Sequence, residues 1–134
     1  TLCEEFNDND NFIVIDTDKL EEYNDLVKYF DNNIPDKIND FDKLYLGILD
    51  CYKDSGKIIV IDSAQYRNIK DINILKGEMF ILRTCIDTCY YRCLKRYDEL
   101  NNNLEDRVKY QERKKNIYKW YNSLNDFILK VDEL

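Results

Sequence analysis

The chain contains no histidine among its 134 residues, and it has only one proline and three glycines. The absence of histidine excludes Ser-His and Cys-His nucleophile pairs and removes a common zinc ligand. The scarcity of glycine and proline disfavours a β-sandwich or a glycine-looped α/β enzyme, because both need many tight turns. The sequence also lacks a phosphate-binding loop, a nucleophile elbow and a CxxC pair. We therefore expect a non-catalytic protein without a metal or another cofactor.

No apolar run approaches the roughly 20 residues that a membrane-spanning helix requires. At this length, the simplest expectation is a single helical domain that covers residues 1–134. The net charge of −7 argues against nucleic acid as the partner. Heavy use of Asn, Asp, Lys, Ile and Tyr is typical of an AT-rich genome, of the malaria-parasite or poxvirus kind.

Two short runs rich in β-branched residues, at 12–15 and 57–61, interrupt a chain that is otherwise typical of helices. Each run leads into Ile-Asp followed by a hydroxyl residue. Two such strands can satisfy each other's backbone groups. The predicted fold is mainly α: a helical bundle with a long antiparallel C-terminal helix hairpin and a small two-stranded β-ribbon.

Four helices are predicted around this ribbon. The first begins near Asp18 and ends before Asn32. The second begins near Pro35 or Asp36 and ends at Ser55-Gly56, where a left-handed glycine cap is expected. A long third helix is expected from Ile72 to Leu100, because apolar residues recur there at alternating three- and four-residue steps. The last helix follows Asn101–Asn103, with Val108 among the residues expected on its buried face. Because the last two helices are expected to match in length, they are predicted to pack as an antiparallel hairpin.

The cysteines allow two interpretations. Three of them lie at i, i+4 and i+8 on the third helix and span about 12 Å along its axis, too far for one zinc ion to bind all three. They could instead form disulfides with the two earlier cysteines, or all five could be small buried side chains in a reducing compartment. The disulfide candidates are Cys3, Cys51, Cys85, Cys89 and Cys93.

Aromatic and basic residues alternate along the last helix, and aromatic anchors are favoured at protein interfaces. A solvated helix face, or a surface for nucleic acid or anionic lipid, are the alternatives. The leading hypothesis is a secreted, exported or cell-surface parasite or viral protein that binds a host or partner protein. The predicted partner-binding residues are Tyr110, Arg113, Lys114, Tyr118, Trp120 and Tyr121.

In residues 6–66, acidic stretches precede the two apolar runs. This arrangement resembles a pair of degenerate EF-hand loops. With Gly56 at the invariant glycine, Ile58 takes the bridge position and Asp62 takes the closing ligand position. Cys51 and Lys53 then occupy ligand positions and cannot hold calcium. The resemblance implies a calcium-independent lobe with a small antiparallel bridge between its loops. Its functional implication is a cytoplasmic light chain or adaptor that binds a target helix.

Overall fold

The computed structural model describes residues 5–80, 85–99 and 104–132, and the chain divides into two compact units, residues 1–76 and 77–134. The described part is mainly α, as predicted, and it contains the small two-stranded sheet. Whether the two units form a single domain stays a prediction. In chain order the elements are β1 (Phe12–Asp16), α1 (Asn24–Tyr29), α2 (Phe41–Tyr52), β2 (Ile58–Asp62), α3 (Ile86–Glu99) and α4 (Leu104–Asp132).

In the first unit, β1 and β2 pair in parallel, with Phe12 beside Ile58 and Asp16 beside Asp62. A parallel pair needs a long crossover connection, and α1 and α2 lie within it. The antiparallel bridge implied by the EF-hand resemblance is therefore wrong. The two helices carry the chain back to the end of the sheet where β1 began, so β2 must run in the same direction.

The core of this unit lies between the helices and one face of the sheet. Ile13, Ile59 and Ile61 pack from the strands against this core at partly buried positions. Burying a side chain of this size stabilises the fold by about 1.5–3 kcal/mol. The two-stranded sheet is therefore stabilised mainly by the packing of its isoleucines against the helices. The buried members of the core are Ile15, Leu20, Leu26, Leu44 and Ile48.

The first predicted helix is broken into a 3-10 turn at Leu20–Glu22 followed by α1. The Tyr23 hydroxyl accepts a hydrogen bond from the Asp16 amide at 2.9 Å, which ties the break to the end of β1. Asp31 and Asn32, at φ 52° and 63°, end the helical region as the sequence predicts.

The second predicted helix begins six residues later than Pro35, at Phe41. Before it, the Asp36 carboxylate accepts a hydrogen bond from the Ile38 amide at 2.9 Å, which stabilises a turn instead of a helix. The same contact, followed by one from Asn39, holds the pKa of Asp36 below its usual value. Beyond α2, Gly56 has φ 70°, the left-handed conformation that the sequence predicts there.

The long helix predicted from Ile72 is wrong for its first part. A 3-10 turn occupies Ile72–Ile74, and Leu75 is extended. Two side chains of α2 hold this segment: the Asp42 carboxylate accepts hydrogen bonds from the amides of residues 70 and 71 at 2.7 and 2.8 Å. The Tyr45 hydroxyl accepts from the Lys76 amide at 2.9 Å and lies 3.2 Å from the Lys76 carbonyl oxygen. These bonds replace the ones that a helix would make.

In the second unit, α3 and α4 pack against each other. The two helices have 14 and 29 residues, about 21 and 44 Å at 1.5 Å per residue. The expectation of equal lengths is therefore wrong, because the third helix begins only at Ile86.

Candidate interaction surface on α4

α4 is long and uninterrupted because residues 104–132 contain neither glycine nor proline. One side of the helix is buried in its C-terminal half. Ile117, Leu124 and Ile128 recur there at seven- and four-residue steps and are almost completely enclosed, and Phe127 lies beside them. This side forms the packed face of the helix.

The opposite side of α4 carries a line of exposed residues, which we call the outer seam: Val108, Lys115, Tyr118, Asn122 and Leu129. Four of these five follow one another at seven-residue steps, so they share one face over about 32 Å. The exposed fractions are 45% for Val108, 57% for Tyr118 and 62% for Leu129. Exposed apolar side chains on one side of a helix, away from its packed face, are typical of a helix that contacts a partner.

The outer seam differs in part from the surface predicted from sequence. Tyr118 is exposed as expected, but Tyr121 is half-buried and lies nearer the packed face. Val108, expected in the core, belongs to the seam. Leu129 was missed, although its seven-residue spacing from Asn122 was a usable signal. Tyr110, Arg113, Lys114 and Trp120 belong to α4, but their side chains lie outside the part that the structure describes.

The charge around the outer seam is positive. Residues 107–119 contain six basic residues and one acid, Glu112. Lys109, Lys115 and Lys119 are exposed among them. Apolar side chains surrounded by lysines favour a partner surface that carries acidic residues around an apolar centre.

The structure shows no disulfide among the cysteines that it describes, and Cys3 lies outside the described residues. On α3, Cys93 is buried and Cys89 is half-buried. Cys51 is also half-buried, and its thiol donates to the Asp25 carbonyl oxygen at 3.7 Å. Burial, followed by the charges of Asp25 and Asp50, raises the pKa of this thiol.

Cys85 is the exception, because it is exposed at the start of α3. Its sulfur lies 2.9 Å from the Thr88 hydroxyl oxygen. The Thr88 hydroxyl, followed by the Thr88 backbone amide, lowers the pKa of the Cys85 thiol. Thiols near a helix N-terminus are commonly activated in this way, because the hydrogen bonds stabilise the thiolate.

A shallow depression of about 300 Å³ lies at the surface of the first unit, lined by Asp25, Lys28, Tyr29, Cys51 and Tyr52. At its edge, the Tyr29 hydroxyl donates to the Asp50 carboxylate at 2.6 Å, and Lys53 lies 3.1 Å from the same group. The bond from Tyr29, followed by that from Lys53, lowers the pKa of Asp50. The Asp50 carboxylate therefore stays ionised, and the ammonium group of Lys53 balances its charge.

Comparison of this chain with protein-family models, with curated proteins and with solved structures finds no match. The case for a function thus depends on the chain's own residues. In the described ranges, no group of three or more Cys, Asp or Glu side chains is placed to hold a metal ion. None of the helices in that part of the chain combines the length and the apolar character needed to cross a membrane.

Proposed function

We propose that this chain is a non-catalytic protein-interaction domain, and that the outer seam of α4 binds an acidic surface of a partner protein. The observation that carries the proposal is the exposure of Tyr118 and Leu129 on the side of α4 that faces away from the packed residues Ile117, Leu124 and Ile128. A tyrosine has a large contact area and few rotatable bonds, so it is a favoured anchor at interfaces.

The charge distribution supports this choice of partner. The chain as a whole carries −7, yet residues 107–119, which include three of the five seam residues, have an excess of five basic residues. A local positive patch on an acidic protein attracts a negatively charged surface and repels a second positive one. The parallel pairing of β1 and β2 gives the EF-hand-like adaptor no comparable support.

Site-specific photo-crosslinking tests the surface. p-Benzoylphenylalanine is placed at Tyr118, and, as a matched control, at Tyr91, a tyrosine of α3 that is 65% exposed. We expect a specific adduct from position 118 in extracts of the native source. The captured protein is then identified by mass spectrometry and purified for binding measurements.

Calorimetry with the purified partner then tests the contributions of individual residues. Tyr118→Ala is expected to raise the dissociation constant at least about tenfold, because it removes one aromatic anchor. Lys115→Glu with Lys119→Glu should weaken it further, and more strongly at low salt. Equal adducts from positions 91 and 118, or unchanged affinity in both variants, would contradict the proposed surface.

We also propose that α3 and α4 run antiparallel, because only residues 100–103 separate Glu99 from Leu104. Spin labels attached through ketone-bearing residues at Asp87 and Lys115 distinguish the arrangements. Twenty-eight residues of continuous helix would separate the two backbone sites by about 42 Å, whereas a hairpin places them at nearly the same height on helices whose axes are about 10 Å apart. A measured distance near 40 Å would exclude the hairpin.

A further inference from the structure

The hydrogen-bond pattern of the sheet shows which backbone groups point away from it. The Ile58 amide donates to the Asn11 carbonyl oxygen at 2.9 Å, and the Thr17 amide donates to the Asp62 carbonyl oxygen at 3.0 Å. In a parallel pair, alternate residues of each strand bond to the neighbour. Ile58 and Asp62 therefore face β1, whereas the N–H and C=O groups of Ile59 and Ile61 point outward.

The outer edge of β1 is largely covered by its own flanking turns. The Asp16 amide donates to the Tyr23 hydroxyl at 2.9 Å, and the Asp16 carbonyl accepts from the Lys19 amide at 3.0 Å. At the other end of the strand, the Phe12 amide donates to the Asn9 carbonyl at 3.1 Å. These bonds leave little of β1 for another strand.

The outer edge of β2 has no such cover. Within the described ranges, no residue bonds to the outward groups of Ile59 or Ile61. Ile58, at the start of the strand, is 60% exposed. Natural edge strands are usually blunted by proline, by an internal lysine or by a bulge. β2 has none of these, and β-branched residues fill it from Ile58 to Ile61.

The sequence of this edge favours pairing with an identical strand. The segment from Lys57 to Asp62 has high β-propensity, no proline or glycine and no net charge, the composition typical of segments that pair with themselves. Its basic end and its acidic end are opposite in sign. An antiparallel arrangement of two copies brings unlike ends together, whereas a parallel one brings like charges together.

We propose that two copies of this chain associate through the outer edges of their β2 strands, in antiparallel orientation. A register centred on Val60 places Ile59 opposite Ile61 of the second copy, and both residues face across the interface. Two such pairs form four backbone hydrogen bonds and join the two sheets into one of four strands. The proposed dimer contact uses no residue of the outer seam of α4, so the two proposals can fail independently.

Sedimentation equilibrium and amide hydrogen exchange test the association with the full chain. We expect a concentration-dependent rise from 16.2 kDa toward twice that mass. The Ile61 amide should exchange more slowly as the dimer forms, whereas the Val14 amide, which points outward from β1, should not change. A monomer at every concentration up to the solubility limit, or a dimer without added protection at Ile61, would overturn the proposal.

A backbone ester supplies a variant that preserves every side chain. Replacing Ile61 by its α-hydroxy acid removes one outward N–H per copy and leaves the side chain in the core. The dimer should weaken about tenfold or more, from the loss of two hydrogen bonds. The same replacement at Val14 is the matched control and should leave the dimer unchanged. Equal effects of the two esters would refute the assignment of the edge.

Salt provides a further test. Each copy carries −7, so added salt screens the repulsion between copies and should tighten a dimer held by backbone pairing. The unlike ends of the two β2 strands contribute little by comparison, because exposed ion pairs are weak. Weakening by salt would instead indicate a dimer held by attraction between larger acidic and basic surfaces, and would count against the β2 edge.

Discussion

Gly47 lies in the middle of α2, where Phe30 packs directly over it. A Cβ added at this position would lie 2.1 Å from the Cζ atom of Phe30 and 2.6 Å from a neighbouring ring carbon. The ring would have to move by about 1.3 Å, from 2.1 to 3.4 Å, to restore ordinary contact. Phe30 is partly buried against the core of the first unit, so a movement of this size disturbs the packing of that core.

Two effects of Gly47→Ala oppose each other. Alanine in a helix interior is favoured over glycine by about 1 kcal/mol. Overpacking of a well-filled site costs about 1–3 kcal/mol. We therefore expect the free energy of unfolding of the first unit to fall by about 0–2 kcal/mol. In a Phe30→Ala background the obstruction is gone, and the same substitution should stabilise by about 1 kcal/mol.

Urea denaturation, monitored by hydrogen exchange of peptides from α2, measures the free energy of unfolding of the first unit by itself. The four proteins of the double-mutant cycle should give a coupling of about 1–3 kcal/mol between positions 30 and 47. If Gly47→Ala stabilises the original protein as much as the Phe30→Ala variant, the ring does not lie over the glycine, and the packing described for α2 is wrong.

Three further predictions concern titratable side chains. The pKa of Tyr52 is raised from 10.0 to about 12, mainly by burial. The neutral phenol of Tyr52 therefore contributes fully to the free energy of unfolding below pH 10, and this contribution is lost between pH 10 and 12. We expect a loss of about 1 kcal/mol, allowing for partial exposure of the ring, and Tyr52→Phe should remove this part of the alkaline decline; an unchanged pH profile would contradict it. Cys85 should react with iodoacetamide faster than Cys51 at pH 7, because the pKa of the first thiol is lowered and that of the second is raised. Thr88→Val should slow the reaction of Cys85 and Thr88→Ser should not, whereas equal rates in both variants would refute the role of the hydroxyl. Alkylation of the unfolded protein from its native source, without reductant, should add five adducts, because no disulfide joins the described cysteines. Such a result would favour the cytoplasmic alternative, and a single adduct would indicate two disulfides and favour secretion.

The sequence predicted the helix that carries the candidate surface and one residue of the outer seam, Tyr118, because the surface lies on a single helix. The spacing of residues along α4 determines which of them share a face, whatever the helix packs against. Which face is packed depends on neighbours that the spacing does not identify. The apolar pattern therefore predicts a core position for Val108, which is 45% exposed, and Leu129 is not among the residues predicted for the surface.

Local sequence was sufficient for features that depend on backbone preference. The β-branched runs form strands at Phe12–Asp16 and Ile58–Asp62, within one residue of their predicted bounds, and Gly56 adopts the left-handed conformation expected of it. These outcomes follow from side-chain shape acting on nearby dihedral angles, so they need no distant contact.

Only the tertiary structure decided the direction in which the strands pair and the point where the third helix begins. An isolated strand can pair in either direction, and the return path through α1 and α2 selects the parallel one. The apolar spacing from Ile72 onward is compatible with a helix, but Asp42 and Tyr45 bind the backbone of residues 70, 71 and 76. Hydrogen bonds to side chains of α2 thus take the place of the helical hydrogen bonds that residues 70–76 do not form. For this reason the third helix begins later than its sequence predicts.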